Sequence, residues 1–418
     1  MDSKFDNGVL SIMLPQRISA QNAPAFEKEL LVIEQLKTAK EIILDAENLV
    51  YISSLGLRVI LKLQKKFKDT PLFILNTSAE VYKIFDDTGF TSLFNVKKKL
   101  RYVDTSAFKL IAGGMYGSVY LINEEQILKV FHGIQSENDI QPVISAIRVA
   151  FVHGLPTIIP FEIVRTEKGI GMILELLNSE MLSTLIAKNP QNLDKYIEDM
   201  IELSKTLANT TFEETTLRSR NEMLKSKLKA AADFFTPEEF LTVEKYIDAV
   251  PKRNTALHGD FHAKNLMMSD DMLMLIDMDE FSLGHPLWDV ANLNCIYQAM
   301  VHIDKETADD VFDFGKSLPY EDFYFKIIGC TFAQAEIIWN KFFNGYFLGY
   351  SEEDKSKILK LVEFYANLKF ITFLIDVCNK LKDNPDKAAK KVQTIRYFLA
   401  KLKSQNLDML IKYLDLWK

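Results

Sequence analysis

The sequence predicts two domains of mixed class: an α/β sandwich, followed by an α+β fold with two lobes. Three observations lead to this fold class. Short strand-like and helix-like segments alternate through the first hundred residues, an order typical of α/β proteins. Residues 108–131 show strand patterns around a glycine-rich turn, and almost every segment after Leu287 has helical periodicity. We place the boundaries at 1–98, 99–107 (linker), 108–177 (β-rich lobe) and 178–418 (helical lobe).

The composition is that of an ordinary globular protein. The chain has 418 residues, 48% hydrophobic and 26% charged, with a net charge of −7. The acidic balance argues against a nucleic-acid partner, and no uncharged apolar run is long enough to span a membrane. The three cysteines are too scattered for a disulfide framework or a Cys-x-x-Cys metal site. With no signal peptide at the start, these features favour a reducing, cytoplasmic location.

The first domain is predicted from its alternating pattern. The segment 8–14 has period-two apolarity, and 55–68 carries apolar residues at helical spacing. Ser78 is a candidate helix cap, with Glu80 in the first turn. The predicted strand and helix segments alternate over 8–14, 22–36, 41–45, 55–68, 71–75 and 78–85, beginning with a strand.

The first chemical signal is a glycine-rich turn at 110–120, with Lys129 on the strand that follows. Glycines let backbone N–H groups approach phosphate oxygens because no Cβ stands in the way. A lysine between apolar neighbours on a strand is suited to aim a cation at a phosphate. Two alternatives stay open, a hairpin turn without a ligand and a surface lysine that covers apolar area with its stem.

The second signal is stronger. Asp260 and Asn265 lie five residues apart on a predicted tight loop, and Asp277 ends an apolar strand-like run seventeen residues after Asp260. Phosphoryl transfer needs a base that orients the acceptor and oxygen ligands for Mg²⁺ from neighbouring loops. Zinc is disfavoured, because His258 and His262 have no third nitrogen or sulfur ligand at suitable spacing.

These motifs together resemble the aminoglycoside phosphotransferase and choline kinase group, which has a bilobal protein-kinase-like fold. The resemblance covers about 108–293, and the later helices suit that group's substrate-covering region. The matching motifs, in chain order, are the glycine-rich loop, Lys129, His-Gly-Asp at 258–260 with Asn265, Ile-Asp-Met-Asp at 276–279, and Gly284 with Asp-Val-Ala at 289–291.

The resemblance implies ATP and Mg²⁺ as cofactors and a role for each matching residue. Asp260 would deprotonate the acceptor hydroxyl, Lys129 would contact the α and β phosphates, and Asp289 would brace the catalytic loop. Asn265 and Asp277 would hold Mg²⁺. The further implied positions are Asp279 as accessory metal ligand, the loop residues Gly113, Gly114, Gly117 and Ser118 at the phosphates, and Glu175 and Leu177 in the segment that offers backbone groups to adenine.

Two departures from that family pattern bear on activity. Ala112 stands where such loops often have their first glycine. Relatives pair the strand lysine with a glutamate on the next helix, but the helix predicted at 142–152 contains none. Glu137 or Asp139, just upstream, would have to substitute. Without such a partner the protein would bind nucleotide and turn over weakly, because that ion pair belongs to the catalytic assembly.

Residues 44–61 resemble the STAS domain of bacterial anti-sigma factor antagonists, and the resemblance covers about 5–98. In that family a serine at a helix start is phosphorylated during partner switching. Ser54 matches this position, whereas Ser53 stands where the switch proteins usually have aspartate. A phosphate there would be favoured by the helix dipole. The alternative is that Ser53 or Ser54 simply caps the helix.

Three functions follow. The first is ATP-dependent phosphorylation of a hydroxyl on a small molecule, with a STAS-like module that regulates it or binds a protein partner. The second is a protein kinase acting on Ser54, and the third is a nucleotide-binding switch with little turnover. The acceptor, the nucleotide preference and the oligomeric state cannot be read from the sequence. An acidic rim around the substrate pocket would favour a cationic acceptor; the alternative is that these carboxylates only lie on solvated helix faces. The residues are Asp309, Asp310, Asp313, Glu321 and Asp322.

Overall fold

The computed structural model describes residues 1–114, 117–134, 136–213, 217–315, 318–381 and 384–417. Met115 and Tyr116, in the predicted glycine-rich turn, lie outside the described residues. The chain divides into two compact units. One comprises Met1–Thr105 with Ile163–Glu167, and the other comprises Ser106–Glu162 with Lys168–Lys418. We describe each unit separately.

The first unit is an α/β sandwich built on a five-stranded sheet in the order β1-β2-β4-β6-β7. Strands β2, β4, β6 and β7 run parallel, and β1 is antiparallel to β2. Its strands are β1 (Ser3–Asp6), β2 (Val9–Met13), β3 (Arg17–Ile18), β4 (Glu41–Asp45), β5 (Tyr51–Ile52), β6 (Leu72–Thr77), β7 (Asn95–Lys98) and β8 (Arg101–Tyr102). Its helices are α1 (Ala23–Leu31), α2 (Ser54–Lys66) and α3 (Ala79–Asp87).

Strand alternation builds the core of this unit. Leu10, Ile42 and Ile74 are fully buried on the central strands, as period-two apolarity requires when one face meets the core. Ser78 caps α3 by accepting a hydrogen bond from Val81 N at 3.2 Å. Residues 99–107, predicted as a linker, contain β8, whose residues pair in parallel with Val164 and Arg165.

One predicted helix in this unit is too long. The pattern predicts a helix over 22–36, but α1 ends at Leu31 and a separate 3₁₀ turn follows at Glu34–Lys37. Ile33 between them is extended, with φ −69° and ψ 109°. The β-branched pair Val32 and Ile33 loses χ1 freedom in a helix, which weakens helix propagation at this point.

The β-rich lobe of the second unit is an antiparallel arrangement in which β10 pairs with β9 and β11, and β11 pairs with β13. Helix α4 begins at Glu137, five residues earlier than predicted, because Ser136 caps it and Pro142 is accommodated inside it. The elements are β9 (Lys109–Gly113), β10 (Gly117–Leu121), β11 (Gln126–Phe131), α4 (Glu137–Val152), β13 (Gly169–Glu175) and β12 (Pro160–Thr166), of which the residues from Ile163 onward are assigned to the first unit.

The helical lobe surrounds one long buried helix, α14, which packs against α9 and α15. Two short strand pairs carry the loops of interest, β16 with β17 and β15 with β18. The strands are β14 (Glu180–Met181), β15 (Ala256–Leu257), β16 (Leu266–Ser269), β17 (Met272–Leu275) and β18 (Ser282–Leu283). The helices are α5 (Leu182–Lys188), α6 (Leu193–Asn209), α7 (Arg220–Ala230), α8 (Pro237–Asp248), α9 (Leu287–Asn294), α10 (Met300–His302), α11 (Lys305–Phe312), α12 (Tyr320–Ile328), α13 (Phe332–Tyr346), α14 (Glu352–Lys380), α15 (Pro385–Lys403) and α16 (Leu407–Leu410).

Among the described residues, no helix combines the length and apolarity needed to cross a membrane.

Candidate active site

The loop that carries Asp260 follows strand β15 and is held from below by Asp289. The two carboxylate oxygens of Asp289, at the start of α9, each accept one backbone hydrogen bond at 2.8 Å, from His258 N and Gly259 N. Gly259 has φ +83°, a conformation that favours glycine. The bracing expected of Asp289 is therefore present.

Asp260 is surrounded by donors and positive charge. Asn265 Nδ2 donates to its Oδ2 at 3.1 Å and to its backbone carbonyl at 2.9 Å. His262 Nε2 lies 3.4 Å from Oδ2, and Lys369 Nζ lies 3.8 Å from Oδ1. Desolvation alone would raise the pKa of this carboxyl, but His262, Lys369 and His258 outweigh it and hold the pKa far below its usual range. Asp260 is therefore an ionised, oriented carboxylate.

His258 links this loop to the second acidic segment. Its Nε2 lies 2.9 Å from the carbonyl of Ile276, and its Nδ1 accepts a hydrogen bond from Asp260 N at 3.2 Å. The Ile276 amide in turn donates to the Asn265 carbonyl at 3.0 Å. This fully buried histidine has a structural role, because both of its ring nitrogens contact the backbone of the two loops.

Lys129 lies in an ion-paired cluster with the two aspartates of the second segment. Its Nζ is 2.5 Å from Asp277 Oδ1 and 2.7 Å from Asp279 Oδ2. Burial would lower the pKa of Lys129, but the two carboxylates outweigh this effect and raise it. Burial, with Asp277 close by, raises the pKa of Asp279 to about 6. The partners that the structure gives to Lys129 are thus on the acidic segment, 148 and 150 residues away.

The donor set suits a divalent cation with oxygen ligands. Asp277 is half-exposed, and its φ of +56° turns the backbone sharply at this point. Because Asn265 Nδ2 donates to Asp260, the amide oxygen remains available as a ligand. In the described ranges no cluster of three or more His, Cys, Asp or Glu side chains is arranged around a metal position, and the ammonium of Lys129 already bridges the two aspartates. The residues therefore fit Mg²⁺ only with Lys129 turned away.

The strands that flank the glycine-rich turn approach each other closely at Gly117. A Cβ on Gly117 would lie 2.7 Å from the carbonyl of Val130, so glycine is needed there. Gly114 N donates to the Gly117 carbonyl at 2.9 Å, and Gly113 pairs with Ser118 in the ladder. Ser118 Oγ is 2.9 Å from His132 Nε2.

In the segment expected to contact adenine, the backbone amide of Glu175 is hydrogen-bonded within the protein, whereas that of Leu177 has no such partner among the described residues. Glu175 N donates to the carbonyl of Ile159 at 3.0 Å, and the Glu175 side chain accepts from Ile159 N at 3.1 Å. The backbone amide and the side chain of Glu175 are therefore both used in hydrogen bonds to Ile159. The amide of Leu177 makes no hydrogen bond to the part of the chain that the structure describes, so it is available to a ligand.

A cavity of about 310 Å³ opens beside these groups. Asp260, Asp277 and Asp279 line it, together with a set of apolar side chains that we call the apolar wall. The five carboxylates considered as an acidic rim in the sequence analysis are absent from its lining. Asp309 accepts from Gly315 N, and Asp313 pairs with Lys391, so both hold local structure. The apolar wall consists of Leu224, Ile296, Met300, Phe312, Ile327, Ile328, Phe370 and Phe373.

Sequence reasoning missed the charged groups of this cavity. Lys369 reaches Asp260 from α14, and a chain of ion pairs joins Arg220, Glu280, Lys227 and Asp376 at 2.6 to 2.8 Å. Burial opposes ionisation of Glu280, but Arg220 and Lys227 lower its pKa to about 2. The one available signal was that charged residues interrupt the apolar run of α14.

In the first unit, the two serines have separate roles. Ser53 is buried and caps α2, accepting a hydrogen bond from Gly56 N at 3.2 Å. Ser54 is the first helical residue, and its side chain is exposed. The capping function therefore belongs to Ser53 and leaves the Ser54 hydroxyl free of that task.

Comparisons with known proteins match both units. The family model described as the phosphotransferase enzyme family matches residues 107–313, and the STAS domain model matches residues 1–111. BtrV of Bordetella bronchiseptica, provisionally named an anti-sigma factor antagonist, is 32% identical over 105 residues, which are 25% of this chain and 89% of that protein.

Solved structures add similar relatives at low identity. The gentamicin complex of the aminoglycoside phosphotransferase APH(2″)-IIa is 14% identical, covering 80% of this chain and 99% of that one, with a TM-score of 0.45. A choline/ethanolamine kinase family protein from Mesorhizobium loti is 15% identical, covering 74% and 92%, with a TM-score of 0.43.

The chain therefore joins a STAS domain to a domain of the phosphotransferase enzyme family, which has a protein-kinase-like fold. Its class is that of a phosphotransferase with a STAS module.

Proposed function

We propose that the protein transfers the γ-phosphoryl group of ATP to a hydroxyl of a small molecule, with Mg²⁺ as the metal, and that the STAS domain regulates it through a protein partner. The single observation that supports this most strongly is the convergence of Asp260, Asn265, Asp277 and Lys129 through direct and bridging contacts beside one open cavity. Their order along the chain is that of the phosphotransferase motifs.

Each residue has a task that its contacts explain. Asp260, ionised and held by Asn265, takes the proton of the acceptor hydroxyl. The hydroxyl oxygen then bonds to the γ-phosphorus while the bond from that phosphorus to the bridging oxygen breaks, which leaves ADP. Bound Mg²⁺ supplies positive charge at the transferring phosphate. Asn265 and Asp277 would hold the metal, and Lys129 would bind phosphate oxygens in place of its aspartates.

Lys129 has ion-pair partners even though the following helix lacks the glutamate that relatives use for this purpose. Asp277 and Asp279 already hold Lys129 when its phosphate partner is absent. A metal held by Asp277 would take a carboxylate that Lys129 now pairs with, so Lys129 would have to leave Asp277 for the metal to be held there. A nucleotide-binding switch without turnover is the alternative that the experiment below separates.

Exchange of Asp260 for asparagine tests the proposal. D260N keeps the shape of the side chain and removes the base, so ADP release in the presence of hydroxylated acceptors should fall by at least about a hundredfold. ADP binding, measured by calorimetry, should be unchanged. The matched control is D270N, at an exposed turn position on the same segment.

The outcomes separate the alternatives. Turnover by D260N at the parent rate would refute the role of Asp260 as base. Binding of ADP with no turnover by the parent protein, over broad acceptor pools, would favour the nucleotide-binding switch.

A second candidate function rests on Ser54, whose exposed position in the first turn of α2 leaves its hydroxyl accessible. A phosphate there would meet the positive end of the helix dipole. Mass spectrometry after incubation with Mg-ATP should show a phosphate on Ser54 that S54A lacks. An unmodified Ser54 in the parent would count against protein kinase activity toward this site.

A further inference from the structure

The wall of the cavity next to Asp260 is one face of helix α14. Lys369, Phe373 and Asp376 line it at spacings of four and seven residues, which share a helix face. Asp376 pairs with Lys227 at 2.8 Å. Phe370 and Thr372 of the same helix also line the cavity, so α14 presents two aromatic side chains and a threonine between Lys369 and Asp376. Lys369 is at the end nearest the proposed base.

The charges of the cavity fall into three groups. Arg220 and Lys227 share Glu280, and Lys227 also pairs with Asp376, so this group is balanced by hydrogen-bonded partners. Lys129 lies with Asp277 and Asp279 on the phosphate side. The third group is Asp260 with Lys369 and with His262, whose Nε2 lies 3.4 Å from Asp260 Oδ2.

Lys369 differs from the other cations in how loosely it is held. Its Nζ donates to the carbonyl of Gly259 at 3.3 Å, and it is 3.8 Å from Asp260 Oδ1, beyond hydrogen-bond range. An ammonium has three N–H donors, so donor capacity remains toward the cavity. The side chain is 26% exposed there.

The position of Lys369 determines which chemical group a good acceptor has next to its reacting hydroxyl. That hydroxyl must reach Asp260, so groups attached within a few bonds of it come near Lys369. An ammonium at that place would be repelled, whereas an oxyanion would gain a charge-assisted hydrogen bond. One loosely held ammonium matches one negative charge, which favours a carboxylate over a dianionic phosphate ester.

We infer that Lys369 is a specificity-determining residue and that the acceptor is a hydroxycarboxylate whose body packs on the apolar wall formed by residues such as Phe312, Phe370 and Phe373. The inference rests on the proposed phosphotransferase function and names its acceptor class. It departs from the cationic acceptor that an acidic rim would have selected.

The test uses matched acceptors with the full-length protein. Each set shares one skeleton and differs in the group near the hydroxyl: gluconate, sorbitol and glucamine; glycerate, glycerol and 3-amino-1,2-propanediol; 3-phenyllactate, 3-phenyl-1,2-propanediol and 1-amino-3-phenylpropan-2-ol. Glycerol 3-phosphate represents phosphate esters. ADP release gives kcat and KM for the parent, for K369M and K369R, and for K360M, which makes the same change at an exposed position of α14.

The expected result is that a carboxylate gives the highest kcat/KM in the parent. K369M should then lower this kcat/KM by about tenfold or more, mostly through KM, while changing the neutral counterpart less than about threefold. K369R should recover much of the loss, and K360M should match the parent. This pattern requires direct binding of the carboxylate, because a role through Asp260 alone would affect all acceptors equally.

Several results would overturn the inference while leaving the proposed function intact. These are faster turnover of a neutral, cationic or phosphorylated acceptor, and an equal loss by K369M on acids and neutral counterparts. If none of these acceptors gave ADP release while ADP still bound, the proposed function would be refuted, and the inference with it.

Discussion

At the scale of single residues, Gly259 carries the tightest steric requirement near the proposed base. A Cβ at this position would lie 2.5 Å from the carbonyl oxygen of Glu280 and 2.8 Å from its Cβ. We expect G259A to lower the free energy of unfolding by about 3 kcal/mol, from the positive φ and the clash together. Chemical denaturation monitored by tryptophan fluorescence measures this change.

Gly349 provides the control for that substitution. Its φ is +92°, but nothing lies within 4 Å of the Cβ position, so G349A bears the backbone strain without the clash. We expect G349A to cost about 1 kcal/mol. Equal effects of the two substitutions would show that the loop gives way and that the contact with Glu280 is not a constraint.

Residue spacing predicted that Asp260 and Asn265 lie close together and gave no indication of the charged side chains around them. Asp260 and Asn265 are close in sequence, so their hydrogen bond follows from a tight local loop. The contact of Lys129 with Asp277 and Asp279 spans about 150 residues, and only the family resemblance placed these residues in one site. Lys369 has no local motif, because a lysine on a helix reveals nothing of the cavity it faces.

At the scale of elements, helix starts were harder to predict than helix existence. Pro142 suggested the start of α4, but prolines are also accommodated within a helix beyond its first turn. Helix α14 is buried because apolar residues occur all round it, and Leu361, Phe364 and Ile371 are fully buried. Its charged residues then had to face either solvent or an internal cavity, and sequence alone does not choose between these.

The end of α11 depends on a buried lysine from α15. Lys391 Nζ donates to the carbonyls of Asp310 and Val311 at 2.6 and 3.2 Å and pairs with Asp313 at 3.0 Å. K391M removes these donors from buried carbonyls, so the free energy of unfolding should fall by about 1–3 kcal/mol. Thermal unfolding of K391M, compared with K390M at the exposed neighbouring position, measures it. Equal melting temperatures of both variants would refute this capping role.

At the scale of the whole molecule, the tryptophans report on one unit only. Trp288, Trp339 and Trp417 are the three tryptophans of the chain, and all lie in the second unit. Their fluorescence therefore follows unfolding of the phosphotransferase unit without a direct signal from the STAS unit. This separation matters because a chain with two units need not unfold in one transition.

A buried histidine should make this unit sensitive to acid. His285 is fully buried, its ring lies 5.2 Å from that of Trp417, and its Nδ1 accepts from Leu287 N. Burial, with a smaller effect of Arg253, lowers the pKa of His285 to about 3. The folded state therefore keeps the ring neutral at pH values where the unfolded chain protonates it.

The sign of the effect follows from proton binding. Between the ordinary histidine pKa of about 6.5 and the folded value, the unfolded chain binds one more proton, so stability falls as the pH drops. We expect His285 to account for a loss of about 2 kcal/mol between pH 7 and pH 5.

H285N keeps an acceptor for the Leu287 amide and has no ring to protonate, so its tryptophan-detected stability should be lower at pH 7 and depend less on pH. H302N, at an exposed histidine, should keep the parent slope. A parent slope retained by H285N would show that other groups set the acid sensitivity.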